Sequence, residues 1–156
     1  ATWVLALKAS KIAAAIEGVQ SLNLRLIQLY PRSPNKTTNC VSSALTFAAR
    51  PDAVQKLIDS VVGTVKAETR SNKTGIAVYR GIGIPQSLNC FGWEVKKRLM
   101  DVDSVEKQAK DNGVEFVDLY ANKEGRIGAL AAIALSEERT SAAAMYEDKA
   151  LQLIRK

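Results

Sequence analysis

Apolar residues recur at helical spacing through the first sixteen positions. Trp3, Val4, Leu7, Ile12 and Ile16 share a face, Lys8 and Lys11 turn toward another, and Gly18 follows as a stop. Residues 21–30 fit two periods at once. Leu22, Leu24 and Leu26 alternate as in a strand, whereas Leu22, Leu26, Leu29 and Tyr30 fall on one helical face. With helical neighbours on both sides, this stretch is read as helix. Residues 31–39 hold Pro31 and Pro34 and no large apolar side chain, so they form a loop.

Val41, Leu45 and Ala48 then open a short helix, and Pro51 suits the first turn of the next one. That next helix has the clearest apolar stripe of the chain: Val54, Leu57, Ile58, Val61, Val62 and Val65. It predicts a core helix. Residues 75–85 place β-branched residues between glycines, giving at most a short β-hairpin. From Gln86 on, Leu88, Phe91, Val95 and Leu99 line one helical side. Asp103 to Glu106 reads as a capping box, with Asn112-Gly113 as the stop. Residues 114–120 are a short apolar-aromatic piece, either a helix turn or an edge segment. Residues 122–125 turn, and 126–156 form an Ala-rich helix broken near 136–141.

The fold class that follows is mainly α: a compact helical bundle in a single domain, 1–156, with 1–20 and 126–156 as candidate assembly arms. No run of about eighteen apolar residues occurs, so no membrane span is expected. Lys8 and Lys11 interrupt the first sixteen residues, which therefore read as a helix and not a secretory signal. An alanine at position 1 fits either removal of an initiator methionine or cleavage of a leader.

Charge sharpens the picture. Residues 1–100 carry fourteen Lys/Arg against five Asp/Glu, a balance of +9, while residues 101–156 carry eight against eleven, a balance of −3. A basic body suits a polyanionic partner, and the opposed signs also suit head-to-tail contact between copies. A plain solubilising imbalance reads equally well.

The chain contains no histidine. That excludes Ser-His-Asp and Cys-His nucleophilic sites, histidine-ligated zinc and imidazole acid–base chemistry. Cys40 and Cys90 lie far apart without a CxxC. They read as two small buried hydrophobes in a reducing compartment, with one disulfide as the alternative. The Asn-Lys-Thr triplets at Asn35 and Asn72 match a glycosylation acceptor, but turn chemistry accounts for them better. Two carboxylate pairs, Asp101 with Asp103 and Glu115 with Asp118, offer acid–base work or a divalent cation, against a helix cap and a solvated face. Gly81-Ile82-Gly83 lacks the third glycine of a dinucleotide fingerprint, since Gln86 stands there, and no P-loop follows. No cofactor and no metal are expected.

One constellation remains. Arg70, Lys73, Tyr79, Arg80, Lys96, Lys97 and Arg98 gather cations, a flat ring and flexible backbone around the glycine loop. Single-stranded nucleic acid is held by such a combination, with cations on phosphates and a ring stacked on a base at ~1–3 kcal/mol. The competing reading buries Phe91 and Trp93 and leaves the lysines solvating a helix. Cys90, Phe91 and Trp93, followed by the Val114 to Tyr120 segment in a small Ala-rich chain, resemble the helical coat proteins of flexible filamentous plant RNA viruses. That resemblance implies polymerisation around single-stranded RNA, a groove lined by cations and arms docked on neighbouring subunits. It carries no family site onto particular positions.

The function expected from these observations is non-enzymatic: a nucleocapsid-like structural protein that binds single-stranded nucleic acid, RNA favoured, and forms homo-oligomers in the cytoplasm or a virion. A helical structural subunit of a larger complex without nucleic acid is the second reading. An enzyme using carboxylates or Cys90 is the third.

Overall fold

The computed structural model describes residues 2–30 and 41–138. The loop expected at 31–39, Cys40 and the stretch 139–156 lie outside them. Helix α1 (Thr2–Ala14) forms where its spacing predicts but buries another face: Ala6, Leu7, Ala9 and Ala13 are covered, whereas Val4 and Ile12 are 48% and 44% exposed. Ser10, buried on the same helix, shares a hydrogen bond of 3.1 Å with the Ser21 hydroxyl.

The next two segments depart from the helical expectation. Strands β1 (Val19–Gln28) and β2 (Val41–Ala49) pair antiparallel, with Leu24 opposite Leu45 and Ile27 opposite Ser42. Leu24 buries against Ala6 and Leu7 of α1, with Leu45 beside it. Ile27 and Ala44 bury on the opposite face, in a cluster with Leu88, Phe91 and Leu130. In an extended ribbon successive side chains point to opposite faces, so β1 and β2 bury apolar groups on both sides at once. The register slips between Ser21 and Asn23, so Leu22 bulges out and stays 50% exposed.

Pro51–Ala53 make a single 3-10 turn that feeds α2 (Val54–Glu68), placing Pro51 at the first turn as expected. Helix α2 lies along α1, with Lys8 paired to Glu68 across their surface. It is not a core helix, however: no residue of α2 is buried. Its apolar stripe faces a cleft.

Instead of closing a hairpin within 75–85, β3 (Ile76–Val78) pairs antiparallel with β4 (Glu115–Val117), matching Ile76 to Val117. Between them run α3 (Gln86–Lys97) and α4 (Val102–Asp111). Leu88, Phe91 and Val95 of α3 are buried as their spacing predicts, but Leu99 lies past the helix end and is 55% exposed. The cap of α4 is Asp101 and not Asp103; the Ser104 amide donates to Asp101 Oδ1 at 2.7 Å. Cys90 is a free and exposed thiol, contrary to the buried reading.

Helix α5 (Gly125–Ala134) is the centre of the molecule. Leu130, Ala131 and Ala134 are wholly buried, and the helix touches both β2 and β3. It meets α3 at Gly92, where an added Cβ would lie 2.7 Å from that of Ala134. Past its C-terminal end, the Glu138 carbonyl accepts from Arg25 of β1, and Asn89 of α3 donates to Glu138 Oε1 at 2.6 Å. The described residues thus form a mixed α/β fold, with five helices and two antiparallel two-stranded sheets. The expected α-bundle is overturned because strand partners lie far apart in sequence.

Candidate functional site: a cleft between two sheet edges

Both outer edges of each two-stranded sheet are unpaired among the described residues, and those of β2 and β3 line the same cleft, of roughly 1990 Å³. Leu57, Ile58, Val61 and Val65 of α2 form one wall, and Gly128 and Ala132 of α5 belong to the other. The first turn of α1 reaches it through Val4 and Leu5.

The end nearest residues 69–75 is polar and knotted. Thr69 and Thr74 share a hydroxyl hydrogen bond of 2.6 Å, and the Lys73 amide donates to Ser71 Oγ at 3.1 Å. Lys73 Nζ pairs with Glu124 at 3.0 Å. The turn before α5 comes so close that a Cβ on Gly125 would lie 2.1 Å from the Lys73 carbonyl oxygen. Only glycine permits that approach.

The structure gathers five of the seven predicted binding residues on this cleft: Arg70, Lys73, Tyr79, Arg80 and Arg98. Lys96 and Lys97 do not line it. Lys96 instead sits over the Trp93 ring, 5.3 Å from its centroid. Lys97 and Arg98 both reach Glu94, at 3.9 and 3.0 Å, so one carboxylate offsets much of the α3 cluster. The i,i+3 and i,i+4 spacing of Glu94 to these residues was visible in the sequence. Arg80 stands 3.9 Å from Glu115. Arg70 is exposed and makes no ion pair among the described residues. Tyr79 donates to the Gly83 carbonyl at 3.0 Å, which fixes its ring beside the glycine loop. At the tip of that loop Ile82 is fully exposed.

Sequence reasoning missed Arg126. Its guanidinium donates to both oxygens of Asp118 at 2.6 Å and to Glu106 at 2.7 Å, and covers the Phe116 ring at 4.8 Å. No local pattern announces a cluster drawn from α4, α5 and the segment after β4. It explains one carboxylate pair: the Arg126 hydrogen bond holds Asp118 below the usual carboxylate range. Hydrogen bonds from Ser104 likewise lower the Asp101 pKa. Both acids are held as anions in structural roles, the opposite of what a proton donor needs. No trio of Asp, Glu or Cys close enough to hold a metal occurs among the described residues, and no described helix is long and apolar enough to cross a membrane.

The class defined by these features is an α/β unit with an open, basic-mouthed cleft between two sheet edges. Comparison with known proteins places it further. No family model matches the chain. It is 36% identical over 149 residues to an uncharacterized protein of Methanocaldococcus jannaschii, covering 95% of this chain and 49% of that protein. It is 35% identical over 113 residues to the tRNA 2-agmatinylcytidine synthetase TiaS of Pyrococcus horikoshii, covering 70% of this chain and 26% of the synthetase. The crystal structure of a tRNA fluorescent labeling enzyme shares the fold, with a TM-score of 0.72 over 88% of this chain and 33% of that one, at 23% identity. The chain therefore spans half or less of the length of the curated relatives it matches.

These relatives are archaeal, and one is a tRNA-modifying enzyme, so the resemblance to plant viral coat proteins does not stand. The nucleocapsid role falls with it. A Cys-Phe-x-Trp run and a short aromatic–acidic segment arise in unrelated folds; here they are an amphipathic face of α3 and the strand β4.

Proposed function

We propose that this chain is an α/β module of a tRNA-modifying enzyme, and that tRNA is the molecule it engages. The observation that carries this reading is the 35% identity over 113 residues to a synthetase that acts on tRNA. The fold shared with a tRNA fluorescent labeling enzyme and the +9 balance of the first hundred residues support it. Phosphate contacts fall to the cations of the cleft, with Arg70 first because no carboxylate among the described residues offsets it. Arg80 comes next, since its partner Glu115 is a 71% exposed surface acid that phosphate can displace at small cost, and Lys73 follows, its partner Glu124 being only 38% exposed. Grip on the nucleic acid, not bond-making, is the part assigned to these residues.

The test is binding of a labelled tRNA transcript, read by fluorescence anisotropy over a salt series with a homopolymer RNA of equal length as competitor. Wild-type protein should prefer tRNA. The double variant Arg70→Ala/Arg80→Ala should bind more weakly and lose roughly one unit of salt slope for each phosphate contact removed. Equal affinity for the homopolymer, or an unchanged slope in the variant, would overturn the reading.

A further inference from the structure

We propose that the cleft is the lane of a further β-strand. Its occupant is an extended segment of a longer polypeptide, joined to the N-terminal end of α1, that pairs with β2 on one side and β3 on the other. The two small sheets then become one, in the order β1-β2-strand-β3-β4. This inference is independent of the tRNA reading.

Four observations converge on it. The first is the pair of open edges. N–H and C=O groups along β2 and β3 that are unpaired among the described residues face the same space, and an exposed edge is a feature that proteins cover or pair. The second is α2. A helix with six apolar residues on one face and none buried lacks the surface that its stripe is built to cover. On the other side α5 already spans the gap, touching both β2 and β3. A space with helices on both faces and strand edges at both sides has the section of a β-strand.

The third is connectivity. β1 and β2 are antiparallel, so a strand antiparallel to β2 is parallel to β1, and α1 becomes the crossover between them. The same strand lets α2 act as the crossover from β2 to β3 with one lane skipped. Two interleaved crossovers of one hand put both helices on one face, and α1 and α2 do lie side by side. The first turn of α1 lines the cleft, so a segment leaving the lane has little distance to cover before that helix begins. The fourth is length: the relative matched over 95% of this chain is about twice as long, so in that protein polypeptide beyond the matched part is at hand to supply the strand. Residues 139–156 are poor material for it, with Thr140 and Ile154 their only β-branched residues.

The experiment compares amide hydrogen exchange, read by mass spectrometry, in the 156-residue chain and in the full polypeptide its gene encodes. In the short chain, residues 41–49 and 76–78 should exchange rapidly at the amides of the open edges. In the full polypeptide those amides should slow by about tenfold or more, at any dilution. A second variant keeps the test sharp. Val62→Asp puts a charge toward the lane, so it should abolish the added protection in the full polypeptide while leaving the melting temperature of the short chain nearly unchanged. Equal exchange in both proteins overturns the proposal. So does protection that disappears on dilution, which would point to a second copy, or a gene that encodes nothing ahead of α1.

Discussion

Arg126 is the single side chain on which most of the second half of the molecule leans. It is only 13% exposed, stacks on Phe116 and holds two carboxylates, Asp118 and Glu106, from different elements. Because its hydrogen bond lowers the native pKa of Asp118, the folded state binds that proton more weakly than the unfolded chain. The contribution of the pair is therefore complete above the ordinary carboxylate value of 3.8 and is lost as pH falls through the lowered native value. Asp118 is half exposed, so solvent keeps the effect small. Melting temperatures measured from pH 6 to pH 2 should fall less steeply below about pH 4 in Asp118→Asn than in wild type, from a lower neutral plateau. Parallel curves would assign the acid loss elsewhere. The sequence made Asp118 visible only as one of a pair of acids, with no sign of what faces it. The cap of α4 was legible in kind but not in place: the capping box was read from Asp103, two residues past Asp101, where the cap falls.

Among the elements, α2 and α5 exchange the roles their sequences suggest. α2 has the cleaner apolar stripe, yet none of it is buried, whereas α5 is apolar nearly all round and buries Leu130, Ala131, Ala132 and Ala134. A stripe marks which side of a helix seeks cover, not whether the cover is present. The energetic consequence is direct. Leu130→Ala empties a fully buried site and should cost about 2–5 kcal/mol, while Leu57→Ala on the cleft wall of the 156-residue chain should cost under about 1 kcal/mol. Urea unfolding of the two variants decides it, and equal costs would mean that the cleft is closed in solution. The strands show the complementary limit. Residues 21–30 and 41–49 both carry helical and alternating spacings, and the choice between them rests on Leu24 meeting Leu45. Their separation of twenty-one positions puts that pairing beyond any local window.

At the scale of the whole molecule, the larger hydrophobic cluster joins Ile27 and Ala44 of the first sheet to Phe91, Val105 and Leu130, with Trp93 against it, while Trp3 packs in the smaller cluster around Leu24. Since β1 and β2 bury a face in each, the clusters should unfold together. Urea transitions of Trp3→Phe and Trp93→Phe, each followed by the remaining tryptophan, should give coincident fractional curves once normalised for stability. A gap between the two probes within one variant's denaturation, read against circular dichroism, would show two cooperative units. The same architecture brings Arg70, Lys73, Tyr79, Arg80 and Arg98 to one cleft, although they come from the loop after α2, the segment after β3 and the residue that caps α3. Taken alone, the sequence determined the helical character of α1, α3 and α5, the apolar face of α3, the basic first hundred residues and the exclusion of histidine chemistry, because those follow from contacts three or four residues apart or from composition itself. The strands, the cleft and the choice of which cations share a surface were decided only by tertiary structure, because each depends on pairing between segments tens of residues apart, whose loop-closure cost no local pattern records.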